Sequence, residues 1–379
     1  MRNLGRPLRL WNWIFPEGSS RIHPLDVLRA IAIIAVIFYH FPKSNTQVIW
    51  RAFTHFGSLG VDLFFVLSGY LIGGQVFNNI KSSKIFSIKT FYLKRFLRTL
   101  PSYYFILILN IFIIGSNFFD WRYFVFVQNF GGLYQFTPSW SLCIEEHFYL
   151  FFPLVISFFY QRNKLQYFPF FVLGLIVMGF IWRYSYWKLT RPDLAYIKNV
   201  TQGYEYYFKY IFYPTIGRLD GIALGTLIAF TKIFNESLWD KLLSKSNYLL
   251  ISGMVLLGIL APLIYLRVGW FNVFFGFPLI SVAFSLILIS ATSSKSILTK
   301  IKIPGITTIS LLSYSLYLTH VWAIDVVQRF CKIQLMSITS PLAYILMLIL
   351  ALFFALTLYL TVERPFLQLR HKLLIKKTN

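Results

Sequence analysis

The chain predicts an all-α, polytopic membrane protein, on three observations. Hydrophobic residues fill 57% of its 379 positions and charged residues only 13%, about half the charged share of a soluble domain. Its mean hydropathy is +0.63. The apolar residues gather into about ten stretches long enough to cross a bilayer as helices. Helices suit that setting because each backbone amide and carbonyl is paired within its own segment. Residues 1–379 read as one transmembrane domain, with spans across roughly 24–361 and short basic tails.

The spans follow one another closely. The first, 24–42, carries Arg29 and His40 inside PLDVLRAIAIIAVIFYHFP. The second, 60–79, is rich in small residues (Gly60, Ser68, Gly69, Gly73, Gly74). A third is expected at 101–118, after the basic run KTFYLKRFLR. The fourth (141–160) and sixth (211–231) are the least purely apolar, since they hold Glu145, Glu146, Arg218 and Asp220. Further spans are expected at 166–183, 247–266, 270–292, 306–327 and 340–361. Aromatic clusters such as WRYSYW and YEYYFKYIFY lie near span ends, as interfacial belts do. The segment before the first span lacks an apolar stretch ending in a small-residue cleavage site, so no cleaved signal peptide is expected. There is no repeat, low-complexity tract or flexible linker.

Charge orients the spans. With the N-terminus inside, the cytoplasmic pieces hold 23 Lys and Arg and the outer pieces 11. The positive-inside rule therefore puts both termini in the cytoplasm. The net charge of +23 has its explanation in topology and anionic lipid, and nucleic-acid binding is not expected. Cys143 and Cys331 are the only cysteines, too few for a disulfide framework or a cysteine metal site.

Charges within the spans are the clue to function. Arg29 and His40 are eleven residues apart, about three turns plus 20°, so both fall on one helical face separated by about 16 Å along the axis. The chain has only 13 acidic residues, and Asp62, Glu145, Glu146, Asp220 and Asp325 lie in or at the rim of spans. Ionisable groups inside a bilayer are costly and usually mark a pathway or a reaction site. With the orientation above, His40, Asp62, Glu145, Arg218, Asp220, His320 and Asp325 all come to the outer half. That is a polar pocket suited to proton transfer. Each residue also has a plainer reading. His40 beside Pro42 could be interfacial, and Arg29 could snorkel. Asp62 and Glu145 could pair with Arg218 or a histidine, the small residues could serve helix packing, and 81–98 could be ordinary positive-inside charge. Physics alone admits a membrane enzyme or a proton-coupled transporter or flippase.

Seven motifs in order resemble the acyltransferase 3 family of integral-membrane O-acyltransferases. RAIAIIAVIFYH resembles its arginine-x10-histidine signature, with Arg29 and His40. GVDLFFVLSGYLI resembles its second-span motif, with Asp62 and Ser68. FYLKRFLRTLPSYY is similar to its Arg-x-x-Arg segment, with Arg95 and Arg98. SWSLCIEEHFYLFFPL is similar to its Trp-Ser-Leu block, with Glu145 as the carboxylate. GRLDGIALGTLIA resembles the Arg-x-Asp block, with Arg218 and Asp220. SYSLYLTH resembles its late element, with Tyr314, Tyr317 and His320, and VERPFLQLR its closing segment. His147 departs from the pattern, where glutamine is common. The segment after the last span is short, so the likeness is to the membrane form without an extracytoplasmic hydrolase-like domain.

The resemblance implies transfer of an acyl group, most often acetyl, from acyl-coenzyme A to a hydroxyl of a carbohydrate, glycolipid or other exported acceptor. It implies a bacterial inner-membrane location, no metal and no tightly bound cofactor. The six basic residues of 81–98 suit a polyanionic cytoplasmic donor. A sugar hydroxyl needs a base, and imidazole titrates near neutrality. His40 is the expected base, His320 the next candidate, and Asp62 or Glu145 the expected orienting carboxylate. Arg29 would hold the donor's pantetheine–phosphate end or gate its entry. The orientation is tested by reporter fusions. A reporter at Asn379 should read cytoplasmic and one within 184–210 external; an external reading at Asn379 would refute it.

Overall fold

The computed structural model describes residues 22–43, 56–82, 87–115, 120–132, 135–265 and 269–375. These residues form helices and connecting turns, and no strand occurs among them. The long helices are α1 (His23–His40), α2 (Leu59–Lys81), α3 (Ile88–Ile114), α4 (Ser139–Gln161) and α5 (Phe168–Thr190). They continue as α6 (Asp220–Phe234), α7 (Ser246–Tyr265), α8 (Phe277–Ala291), α9 (Ser313–Ile333), α10 (Pro341–Leu358) and α11 (Arg364–Ile375). The expected all-α membrane architecture is present.

Local chemistry sets the boundaries. α1 opens with Pro24 in its first turn, where the missing N–H is no loss. The Ser87 hydroxyl accepts from the Thr90 amide and caps α3, and Ser340 caps α10 through Ala343 in the same way. α5 stops where Arg191 turns left-handed at φ 41°, and Pro192 starts the following short helix.

Several helices are broken within the expected spans. Among the described residues, seven helical stretches are long and apolar enough to cross a membrane. An eighth is reached if Glu236–Ser244 and Ser246–Leu260, bent by 73°, count as one broken span. The expected sixth span is interrupted: a π-helical turn over Tyr207–Phe212, Pro214 and a 3₁₀ turn over Thr215–Arg218 leave α6 only 15 residues long. The expected ninth is split at Leu312 into Ile306–Leu311 and α9, and a buried polar stripe of Ser313, Ser315, Thr319 and His320 runs along α9. α3 begins at Ile88, ahead of the expected span start at 101, so Arg95 and Arg98 lie within a helix.

α2 is the centre of the packing, because its small residues let backbones touch. A Cβ on Gly69 would fall 2.1 Å from the Ile222 carbonyl oxygen, and one on Gly225 2.2 Å from that of Val66. α2 and α6 thus cross with almost no side chain between them, the close approach that small residues allow in membranes. The N-terminal end of α2 meets α1 similarly, where a Cβ on Gly60 would sit 2.4 Å from the Ala32 carbonyl. The segment after α10 is fastened to α9 by the Ser315 hydroxyl, which donates to the buried Glu363 carboxylate at 2.7 Å. Gly69→Ala should therefore cost roughly 1–3 kcal/mol by overpacking. Gly74→Ala, on the same helix with no heavy atom within 4 Å, should be neutral or slightly stabilising. Melting temperatures in detergent decide it; equal melting of the two variants would contradict the close crossing.

Candidate active site

Two polar cavities lie against α1 at different depths. The first, about 310 Å³, is lined by Arg29, Ser68, Arg95, Arg98, Glu145 and Tyr314, with Gln75, Ser141, Tyr149 and Tyr317. The second, about 250 Å³, is lined by His40 and His320 and by the aromatic side chains of Tyr39, Trp140, Phe208, Phe212, Tyr213 and Tyr317. Only Val61 and Tyr317 line both. The eleven-residue spacing on one face of α1 therefore delivers Arg29 to one cavity and His40 to the other.

The arginine-lined cavity is built by α1, α2, α3, α4 and the start of α9. Glu145 accepts from the Ser68 hydroxyl at 3.1 Å and from the Tyr149 hydroxyl at 2.6 Å. The Arg95 guanidinium lies 3.9 Å above the Tyr149 ring, a cation–π contact that fixes its plane. The Tyr314 hydroxyl donates to the Thr99 carbonyl at 2.7 Å and joins α9 to α3. Arg29 lies 3.8 Å from the buried Asp26 carboxylate, whose same oxygen accepts from Ser310 at 2.7 Å. Arg29, Arg95 and Arg98 thus line the cavity with Glu145 as its one lining carboxylate, while Asp26 sits beside Arg29.

In the second cavity the two histidines meet. His320 Nε2 lies 3.2 Å from His40 Nδ1. His40 Nδ1 is also 2.9 Å from the Val36 carbonyl, and His320 Nδ1 is 3.0 Å from that of Leu316. A carbonyl can only accept, so each neutral ring carries its proton on Nδ1. His320 Nε2 then accepts from His40, and His40 Nε2 keeps a lone pair that no described residue engages. That is the tautomer a general base needs.

The carboxylates sit elsewhere than expected. Glu145 belongs to the arginine-lined cavity. Asp62, Arg218 and Asp220 line neither polar cavity. Asp62 takes a 2.8 Å ion pair from Arg218, with the two side chains 9% and 2% exposed. The Arg218 guanidinium is 4.0 Å from the Phe277 ring centroid and 4.6 Å from that of Phe212. Asp220 is held by Arg183 at 2.7 Å, and the same Arg183 nitrogen donates to the Gly217 carbonyl at 2.6 Å. Asp62 and Arg218 thus form the ion pair that the sequence admitted, which packs α2 against the turn before α6, and neither they nor Asp220 line the histidine cavity. In a low-dielectric interior each charge is tolerable only with its partner. The groups at His40 Nδ1 are the Val36 carbonyl and His320 Nε2. Asp325 pairs with Arg329 at 2.9 Å on an exposed face, away from the histidines.

Sequence reasoning missed Arg183, Ser141, Tyr149 and Asp26. Arg183 sits in WRYSYW, read as an interfacial belt, although an arginine in an apolar stretch was itself a signal. His147 bonds Thr215 at 2.9 Å and lines a third, largely apolar cavity of about 550 Å³ between α4 and α5. Both cysteines are buried and unbridged, and no group of three or more potential metal ligands occurs among the described residues.

A family model described as an acyltransferase domain matches residues 22–360. A protein named "Putative O-acetyltransferase" from Staphylococcus aureus strain COL is 29% identical over 375 residues, covering 90% of this chain and 56% of its own length. The protein named O-acetyltransferase OatA from S. aureus strain NCTC 8325 is 29% identical over 333 residues, covering 80% of this chain and 50% of its own. The chain thus spans about half the length of these relatives. No solved structure matches. The ion pair at Asp62 gives a direct test: Asp62→Asn should destabilise the solubilised protein by about 3–5 kcal/mol through the stranded Arg218 charge. The paired change Asp62→Leu with Arg218→Met should recover most of the loss. A melting temperature in Asp62→Asn equal to wild type would remove the packing role.

Proposed function

The chain belongs to the acyltransferase domain family, and we propose that it moves an acyl group, acetyl in the simplest case, from acyl-coenzyme A to a hydroxyl of a carbohydrate or other exported acceptor. The observation that carries this reading is the pairing of cavities: a cation-lined one and a histidine-lined one share a single wall. Arg95 and Arg98, one turn apart on α3, suit the donor's phosphates through their planar donor forks. Arg29, deeper along α1 and held by Asp26, suits the donor near its pantetheine arm. The aromatic faces of the second cavity suit the apolar faces of a sugar ring.

In this reading the acceptor oxygen attacks the thioester carbonyl while its proton passes to His40 Nε2. The imidazolium so formed keeps its Nδ1 proton shared between the Val36 carbonyl and His320 Nε2. The tetrahedral intermediate collapses, the carbon–sulfur bond breaks, and the proton on His40 Nε2 goes to the departing thiolate. The products are the O-acyl ester and free coenzyme A. The donor side is assigned to the cytoplasm because 81–98 supplies more basic residues than any other cytoplasmic piece and the charge asymmetry puts it inside.

The test uses purified protein with labelled acyl-coenzyme A and a sugar acceptor. His40→Ala should lower kcat by about 10²–10⁴-fold, the value of general base catalysis, with the protein still folded. Arg95→Ala and Arg98→Ala should mainly raise KM for the donor. Near-normal turnover in His40→Ala moves the base to His320, and unchanged donor KM in both arginine variants sinks the donor assignment.

A further inference from the structure

The wall between the cavities holds two hydroxyls that the reaction above leaves idle. Ser141 lines the arginine-lined cavity and Tyr317 lines both. Their hydroxyls are hydrogen-bonded to each other, and both residues are buried, at 4% and 6% exposure. Neither hydroxyl has another hydrogen-bond partner among the described residues. The pair holds two protons, and a single hydrogen bond between them uses one. The second O–H is therefore an uncommitted donor among the described residues, facing the cavities. Tyr317 also lies one turn before His320 on α9, with ring centroids 6.0 Å apart.

We propose that this hydroxyl pair is the oxyanion-stabilising element of the transfer, with Tyr317 and Ser141 acting as catalytic residues; the proposal rests on the acyl-transfer reading. Donor and acceptor come from different cavities, so the thioester carbonyl must stand where the two meet, at Tyr317. As the acceptor oxygen bonds to the carbonyl carbon, the carbonyl π electrons move onto oxygen. The free O–H donates a hydrogen bond to that oxygen without giving up its proton, and the other hydroxyl supports the donor through the existing bond. The charge is stabilised where it develops, by a group fixed beforehand. When the intermediate collapses, the electrons return to the carbonyl, the carbon–sulfur bond breaks, and the donating O–H is released. Such a donor acts on the transition state and adds little to binding of the ground state.

Steady-state kinetics of Tyr317→Phe and Ser141→Ala, with the wild type and His40→Ala alongside, test this. Tyr317→Phe should lower kcat by roughly 10²–10³-fold and leave donor KM within about threefold. Ser141→Ala should lower kcat in the same sense. The double variant should be no worse than the worse single, since the two act as one unit. A kcat within threefold of wild type in both singles overturns the proposal, as does a raised donor KM at constant kcat. If Tyr317→Phe fails to fold, the Ser141→Ala result alone decides. A wild type that transfers no label at all removes the acyl-transfer reading itself, a different failure from an active wild type with fully active hydroxyl variants.

Discussion

The rest of the structure depends on the need to neutralise two arginines that have no route to water. Arg218 and Arg183 are 2% and 0% exposed, and each faces one aspartate across 2.7–2.8 Å. An unpaired charge so deep would cost several kcal/mol, so the segments carrying the partners are bound to one another. Asp62 ties the start of α2 to the turn before α6, and Asp220 ties the start of α6 to α5. The same turn sets Arg218 against Phe212, which lines the histidine cavity. The charge pairs hold the aromatic wall in place, and the wall shapes the cavity.

Much of this was legible in the sequence. The Arg29–His40 spacing carried real geometric content, because a helix converts eleven residues into one face and a fixed depth difference. Arg29, Ser68, Arg95, Arg98, Glu145 and Tyr314 come together around one cavity, His40 and His320 around the other, and Tyr317 between them. Sequence order could not say which acid meets which base. Asp62 and Arg218 are 156 positions apart, and depth in the membrane is shared by several rows of residues around the bundle. Placing Asp62 at the level of His40 left open which way its side chain faced.

The breaks within the spans stayed hidden for a different reason. Hydropathy sums over a window and is blind to breaks inside it. Pro214 and the turn over Thr215–Arg218 interrupt one apolar stretch, and the break at Leu312 divides another. Both interruptions serve the site. The first turns Arg218 toward Asp62; the second sends Ser310 to Asp26 and Tyr314 to the arginine-lined cavity. Arg183 was hidden by its aromatic company, where composition suggested an interface and the fold required a counter-ion.

The glycine contacts of α2 have a mechanical consequence. A crossing made of backbone against backbone has no side chains to re-rotamer and no slack to slide on, so α2 moves with α6 as one stiff beam, and α1 leans on its end through Gly60. Of the two residues that partition the cavities, Val61 is mounted on that beam. Tyr317 is mounted on α9, just beyond the joint at Leu312. The partition is thus carried by two separate bodies, α2 with α6 on one side and α9 on the other.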